Sequence, residues 1–126
     1  VYGHLPFYVD KTYADFSQEL AVAAVRHLDR PKALRQFERF FWFTIEFGLV
    51  QTRRGRRVFG AGIASSIAEC EFALSDKVEV APFSVAAVCD QDFRIDQIQK
   101  KLFVLQSPQQ LYDSYEDLLR HVAKAA

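Results

Sequence analysis

The run from Phe40 to Val50, FFWFTIEFGLV, constrains this chain more than any other segment because it is apolar on nearly every side. Apart from Gly48, its polar residues are Thr44 and Glu46. A helix that is apolar almost all round is buried. A carboxylate in such a helix costs several kcal/mol unless it is paired, protonated or bound to a cation. Two interpretations of Glu46 therefore stay open: a structural one, with an arginine partner or a narrow wet edge, and a functional one, as part of a site.

The composition is typical of one globular domain. The chain has 126 residues, of which 50% are hydrophobic and 14% aromatic, so it can bury a real core. Its 16 basic residues balance 16 acidic ones, which argues against nucleic acid as a partner. No apolar run reaches the roughly 18 residues that span a bilayer, and residues 1–10 do not resemble a signal peptide, so we expect no membrane partner and a cytoplasmic location.

Two further composition features bear on context. Cys70 and Cys89 match no zinc or redox spacing, which favours free thiols, with a single disulfide as the alternative. The chain contains no methionine, even at position 1, so we expect it to be a processed, cut or otherwise defined piece of a longer protein.

Periodicity and capping signals predict a mostly helical domain with a minor β component. Helices are expected from Tyr13 to about Leu28 behind a Thr12–Asp15 capping box, from Lys32 to about Phe47 after Pro31, over residues 66–74, and from Ser107 onward. Strands are expected in a hairpin of residues 49–51 and 57–59, and at Lys101–Leu105. Residues 76–98 are expected to be loop with short strand pieces.

Other residues that could carry chemistry have structural explanations that are as good or better. His4 lies among small and apolar residues, which suits a fixed ligand, although most such histidines simply pack. The arginines of Arg53–Arg57 are better explained as a charged hairpin turn in solvent than as a phosphate site. The aromatic residues Phe40–Phe43 fit core packing, with the lining of a pocket as the alternative.

Four segments together resemble one family. They are VYGHLP (1–6), ADFSQE (14–19), FWFTIEFGL (41–49) and GAGIASS (60–66). In this order they are similar to the pterin-dependent aromatic amino acid hydroxylases, with the closest likeness to the bacterial type that acts on phenylalanine at ring position 4. The likeness has specific motifs from residue 1 to about 75 and continues more loosely to the C-terminal helix. It implies the catalytic fold of that family, incomplete at the N-terminus, with residues 1–126 as the C-terminal portion of a single catalytic domain.

The resemblance implies a metal site. The iron signature of the family is His-Asp/Glu-x-x-Gly-His-x-Pro, and its second half matches Gly3-His4-Leu5-Pro6. The glutamate that follows this signature in the family matches Glu46. His4 and Glu46 are thereby expected to bind Fe(II), in a face of two histidines and one carboxylate that leaves positions open for O2. The first histidine would lie two residues before Val1, outside this chain.

The resemblance also implies ligand contacts. Trp42 and Phe47 match aromatics that surround the substrate ring. Gly62 and Ser65 match the loop and helix start that hold the amino-acid end of the substrate and support the metal shell. Phe41 matches a position beside the iron and the pterin. No catalytic residue beyond the metal ligands is expected.

Two departures from the family pattern concern the pterin side. Phe41 replaces a common tyrosine, so any hydrogen bond from that hydroxyl is lost. Glu38 stands where the family often has a small residue.

The expected function is that of an iron- and tetrahydropterin-dependent monooxygenase in a monomeric parent protein, converting phenylalanine to tyrosine with O2. Tryptophan or tyrosine as the substrate stays open. The alternative is a non-enzymatic or degenerate helical binding domain, which the missing first histidine favours for this chain as it stands. On either view the 126 residues alone are expected to be inactive.

Overall fold

The computed structural model describes residues 11–64, 66–97 and 99–125. Its helices are α1 (Lys11–Val25), α2 (Pro31–Phe41), a π-helical turn (Trp42–Glu46), α3 (Ala61–Ala64), α4 (Ile67–Ala73), α5 (Val85–Asp90), α6 (Pro108–Asp113) and α7 (Tyr115–Ala123). Its strands are β1 (Leu49–Thr52), β2 (Gly55–Val58), β3 (Glu79–Pro82) and β4 (Lys101–Leu105). The predicted fold class, mainly helical with a small β component, is confirmed.

The four strands form one mixed sheet in the order β2-β1-β4-β3. β1 and β2 make an antiparallel hairpin, whereas β4 runs parallel to both β1 and β3. Parallel neighbours cannot be joined by a tight turn, so the chain between β3 and β4 must cross over. This connection contains α5 and the segment after it. They pack against the C-terminal half of α2 and against Trp42.

The sheet separates two hydrophobic cores because side chains alternate along its strands. In β4, Leu102 and Val104 face the smaller core, while Phe103 and Leu105 face the larger one. The larger core holds the apolar faces of α1, α2, α5, α6 and α7. The smaller core packs α3 and α4 against Phe47 and the other face of the sheet.

Local capping chemistry sets several helix starts. The Ser66 and Ser107 hydroxyls accept hydrogen bonds from the amides of Glu69 and Gln110, each at 3.3 Å, at the two starts that the sequence predicted. Pro31 occupies the first turn of α2, as expected. The Thr12–Asp15 capping box is wrong, because α1 already begins at Lys11 and Thr12 lies inside it.

The predicted loop over residues 76–98 is partly wrong. It contains β3 and also α5, whose Ser84 cap accepts a hydrogen bond from the Ala87 amide at 3.1 Å. The predicted C-terminal helix divides at Ser114, whose hydroxyl donates to the Leu111 carbonyl at 2.6 Å. A serine that bonds back to the preceding turn competes with the helical ladder.

The cysteines are free, as the sequence favoured: Cys89 is buried and Cys70 is half-buried. Over the described ranges, no helix has both the length and the apolar character required to cross a membrane.

Candidate active site

The π-helical turn at the end of α2 places Glu46. The Phe47 amide donates to the Trp42 carbonyl, five residues back, at 2.8 Å. This wider turn departs from the regular 3.6-residue spacing, and such π-bulges occur frequently at functional sites. The helix ends at Phe47, whose φ of −130° and ψ of 26° lie outside the helical region. Glu46 is therefore the last residue of a rigid element, immediately before the chain turns into β1.

Two buried hydroxyls hold this turn. Thr44 Oγ1 donates to the Phe40 carbonyl at 2.7 Å. This bond satisfies the hydroxyl of Thr44, one of the two polar residues in the apolar run. The Tyr13 hydroxyl, reaching across from α1, donates to the Ile45 carbonyl at 2.7 Å. Both side chains are almost fully inaccessible, with exposures of 1% for Thr44 and 2% for Tyr13.

The Glu46 carboxylate lies against glycine backbone. A Cβ built on Gly62 would lie 2.8 Å from Glu46 Oε2 and 3.1 Å from Phe47 Cζ. A Cβ on Gly60 would lie 2.2 Å from the Glu46 carbonyl oxygen. Real Cβ atoms do not approach other atoms this closely, so both positions require glycine. The carboxylate itself is half-buried, which lowers its desolvation cost compared with the full burial that the apolar run suggested.

A hydrogen bond from α4 fixes α3, the helix that contains Gly62. The Cys70 thiol of α4 donates to the Ile63 carbonyl of α3 at 3.1 Å. Burial raises the pKa of Cys70, and the neighbouring Glu69 and Glu71 carboxylates raise it further, so the thiol keeps its proton for this bond. Burial also raises the pKa of Glu69.

An aromatic stack lines the other side of the turn. Trp42 lies parallel to Phe93, with ring centroids 4.4 Å apart and an interplanar angle of 13°. Phe47 packs on the same indole at 4.5 Å and 36°. The indole Nε1 is buried and has no hydrogen-bond partner among the described residues. Sequence reasoning missed Phe93, since it lies in an irregular segment with no periodic signal.

Trp42 and Phe41 also border an open apolar cleft of about 380 Å³ between α1, α2 and the segment after α5. Glu38 supplies a carboxylate to a lining that is otherwise apolar: Leu20, Ala21, Ala24, Phe37, Phe41, Trp42, Phe93 and Ile95. Phe40 and Phe43 are buried in the core instead, at 0% and 2% exposure. All four aromatics pack in or against the larger core, while Phe41 and Trp42 also line this cleft and Phe43 borders a separate cavity.

The structure brings four of the expected site residues together: Glu46, Phe47 and Gly62 in direct contact, with Trp42 on Phe47. His4 and Ser65 lie outside the described residues. Within residues 11–64, 66–97 and 99–125, no group of three or more His, Cys, Asp and Glu side chains could hold a metal ion.

The arginine cluster lies away from this site. Arg53, Arg54 and Arg57 are exposed on the β1–β2 hairpin, as expected of a charged turn in solvent. Arg56 is half-buried and donates to the Ser75 carbonyl at 2.8 Å.

Comparison with known proteins agrees with this geometry. The family model for biopterin-dependent aromatic amino acid hydroxylases matches residues 1–125. A phenylalanine-4-hydroxylase of Ralstonia nicotianae is 36% identical over 115 residues, which are 90% of this chain and 36% of that protein. A tryptophan 5-hydroxylase of Xenopus laevis is 33% identical over 122 residues, which are 97% of this chain and 24% of that protein.

Solved structures give the same result. The iron- and phenylalanine-bound crystal structure of phenylalanine hydroxylase from Chromobacterium violaceum superposes with a TM-score of 0.85 at 32% identity, covering 99% of this chain and 48% of that one. The phenylalanine hydroxylase of Legionella pneumophila gives a TM-score of 0.82 at 34% identity, covering 98% of this chain and 55% of that one. The chain belongs to the family of biopterin-dependent aromatic amino acid hydroxylases. It spans about a quarter to a half of the length of these relatives.

Proposed function

We propose that this chain is the C-terminal portion of a single catalytic domain in an iron- and tetrahydropterin-dependent monooxygenase that hydroxylates phenylalanine to tyrosine. The observation that carries the proposal is the Glu46 carboxylate, held against the Gly62 backbone at the end of a π-helical turn beside Phe47, on which Trp42 packs. A half-buried carboxylate on a rigid element beside an aromatic surface suits a metal that reacts with an aromatic ring.

The donor set fits iron. Imidazole and carboxylate together, with open positions, are the ligands of non-haem Fe(II) oxygenases. Glu46 would supply the carboxylate and His4 one imidazole, with the second histidine preceding Val1. Bound Fe(II) and a reduced pterin supply the activation of O2 that ring hydroxylation requires.

The other side chains bind and orient. Trp42 and Phe47 would contact the substrate ring, since Phe47 and Glu46 lie together against the Gly62 backbone and Trp42 packs on Phe47. Gly62 and Ser65 would hold the amino-acid end of the substrate, and Phe41 would face the pterin. The stack of Phe93 on Trp42 covers one face of the indole, because parallel rings 4.4 Å apart leave no room for water between them.

Phenylalanine is favoured over other aromatic amino acids because several similar proteins are named phenylalanine-4-hydroxylases, in bacteria and in animals. The tryptophan 5-hydroxylase of Xenopus laevis, at 33% identity, is the reason to test tryptophan beside it. We propose a monomeric parent protein, in line with the likeness to the bacterial type.

The test of the metal role compares two glutamates in the parent protein, meaning the longer protein that contains this chain. Glu46→Gln should weaken Fe(II) binding by at least about 10- to 100-fold, the loss that even outer-shell changes cause. Glu116→Gln, at an exposed site on α7, is the matched control and should leave the affinity unchanged. Anaerobic titration calorimetry measures both, and an unchanged affinity in Glu46→Gln contradicts the proposal.

The test of the reaction uses the parent protein with tetrahydropterin, O2 and, in turn, phenylalanine, tryptophan and tyrosine. Tyrosine formed from phenylalanine, at a higher kcat/KM than any product from tryptophan, supports the proposal. The 126-residue chain alone should show no robust turnover, since on this proposal one ligand histidine comes from outside it. Absence of hydroxylation with all three amino acids in the iron-loaded parent protein would favour the non-enzymatic alternative.

A further inference from the structure

We infer that the Tyr13 hydroxyl is a positioning group for Glu46: it fixes the π-helical turn by bonding the carbonyl of the residue immediately before the carboxylate. The inference rests on the proposed metal role of Glu46. The hydroxyl donates to the Ile45 carbonyl at 2.7 Å, across 32 residues of sequence, in a buried environment.

The Ile45 carbonyl needs this donor because the helix stops there. In a continuing α-helix it would accept from the amide four residues later. That residue is Leu49, which already belongs to β1 and pairs in the sheet. The last carbonyls of a helix must find other partners, and a buried carbonyl without one is costly. Tyr13 supplies the partner from a different element, so it favours the conformation in which the turn ends after Glu46.

Tyr13 also contacts the opposite wall of the site. Its ring packs edge-on against Phe59, with centroids 5.7 Å apart and an interplanar angle of 69°. Phe59 immediately precedes Gly60, and its amide donates to the Gly48 carbonyl at 2.9 Å. One side chain thus touches both the turn that carries Glu46 and the strand end that leads into the Gly60–Gly62 segment against which Glu46 lies.

The hydroxyl can be separated from the ring. Tyr13→Phe keeps the packing on Phe59 and deletes a single oxygen atom. The matched control is Ser114→Ala, which deletes another buried hydroxyl that donates to a backbone carbonyl, at 2.6 Å to Leu111, between α6 and α7. If the two variants lose similar stability, any difference between them at Glu46 reflects position rather than general loosening.

Two readouts in the parent protein test the inference. Hydrogen exchange followed by mass spectrometry reports on the Phe47 and Gly48 amides, which close the turn by bonding to Trp42 and Thr44. Titration with Co(II), a visible probe of ligand geometry, reports on Glu46. In Tyr13→Phe we expect faster exchange of those amides, roughly 10-fold weaker Co(II) binding and an altered Co(II) absorption spectrum, by analogy with the loss of other outer-shell partners. Ser114→Ala should change none of these.

Every possible outcome either supports or overturns the role of Tyr13. Unchanged exchange at Phe47 and Gly48 in Tyr13→Phe overturns the inference, and so does faster exchange with unchanged Co(II) affinity and spectrum, which would make the hydroxyl merely structural. Equal effects in Tyr13→Phe and Ser114→Ala also overturn it. If the parent protein itself does not bind Co(II), the proposed metal role of Glu46 is wrong. The positioning role of Tyr13 is then wrong as well, even if the exchange result shows that Tyr13 stabilises the turn.

Discussion

Glu46 and Gly62 touch without room for one additional carbon atom: a Cβ on Gly62 would lie 2.8 Å from the carboxylate Oε2 and 2.9 Å from the Glu46 carbonyl oxygen. Because one of these neighbours is backbone, the contact cannot be relieved by a side-chain rotation alone. The closeness of α3 to the end of the π-helical turn therefore depends on a glycine, and the position of the carboxylate depends on that closeness.

Gly62→Ala should displace Glu46. Overpacking of this kind costs about 1–3 kcal/mol of stability. We expect Fe(II) affinity of the parent protein to fall by about 10-fold or more, since the carboxylate must move. Gly55→Ala is the control: Gly55 has a φ of +107°, and the nearest atom to its added Cβ is Arg57 Nη1 at 3.7 Å. It should cost about 1–3 kcal/mol through backbone strain and leave the metal affinity unchanged, as measured by urea unfolding and calorimetry.

Phe93→Ala should expose Trp42. Trp42 is the only tryptophan in the chain, so its fluorescence reports on the stack directly. Removal of the parallel ring should shift the emission maximum to longer wavelength and destabilise the fold by about 1–3 kcal/mol, less than for a fully buried phenylalanine. Phe72→Ala, another half-buried ring that packs in the smaller core, should lose stability without the spectral shift. An unchanged emission maximum in Phe93→Ala would show that the two rings are not stacked in solution.

Arg39 should matter more than its ion-pair partner. Its guanidinium pairs with Asp92 and also donates to the Cys89 carbonyl at 2.9 Å, while the Asp92 side chain is 83% exposed. Asp92→Asn should cost less than about 1 kcal/mol, as is usual for a solvated pair. Arg39→Ala should cost about 1–3 kcal/mol, because it leaves a carbonyl of α5 unpaired. It should also shift the Trp42 emission maximum to longer wavelength, because it loosens the segment that contains Phe93. Equal losses in the two variants, measured by urea unfolding, would contradict this.

Cys89 should make the fold sensitive to alkali. Burial and, to a lesser extent, the Asp90 carboxylate raise the pKa of this thiol from 9.0 to about 12, against an opposing effect of the Arg39 guanidinium. Since the folded state favours the protonated thiol, its contribution is fully present below pH 9 and is lost as pH rises from 9 toward 12. The loss approaches about 1.4 kcal/mol per pH unit. Urea unfolding at pH 8 and at pH 10.5 should show a smaller decline in Cys89→Ala than in the unmodified chain, and equal declines would contradict the assignment.

Much of the secondary structure could be predicted because its causes are local. Ser66 and Ser107 cap the helices that follow them, and Pro31 suits a first turn, whatever the rest of the chain does. The alternation in Lys101–Leu105 predicts a strand, and that strand became the element that separates the two cores. Ser84 carried the same kind of signal, but short apolar runs around it are equally compatible with strand.

By itself the sequence determined that Glu46 is unusual, since a carboxylate within FFWFTIEFGLV needs either a structural partner or a functional role, and the sequence also contains the family motifs around it. Only the tertiary structure decided how Glu46 is held. The π-helical turn accepts a hydrogen bond from the Tyr13 hydroxyl, 32 residues away in the sequence, and Trp42 stacks on Phe93, which lies on the connection between β3 and β4. Neither is encoded by local periodicity, because both contacts exist only once α1, α2 and the sheet have packed together.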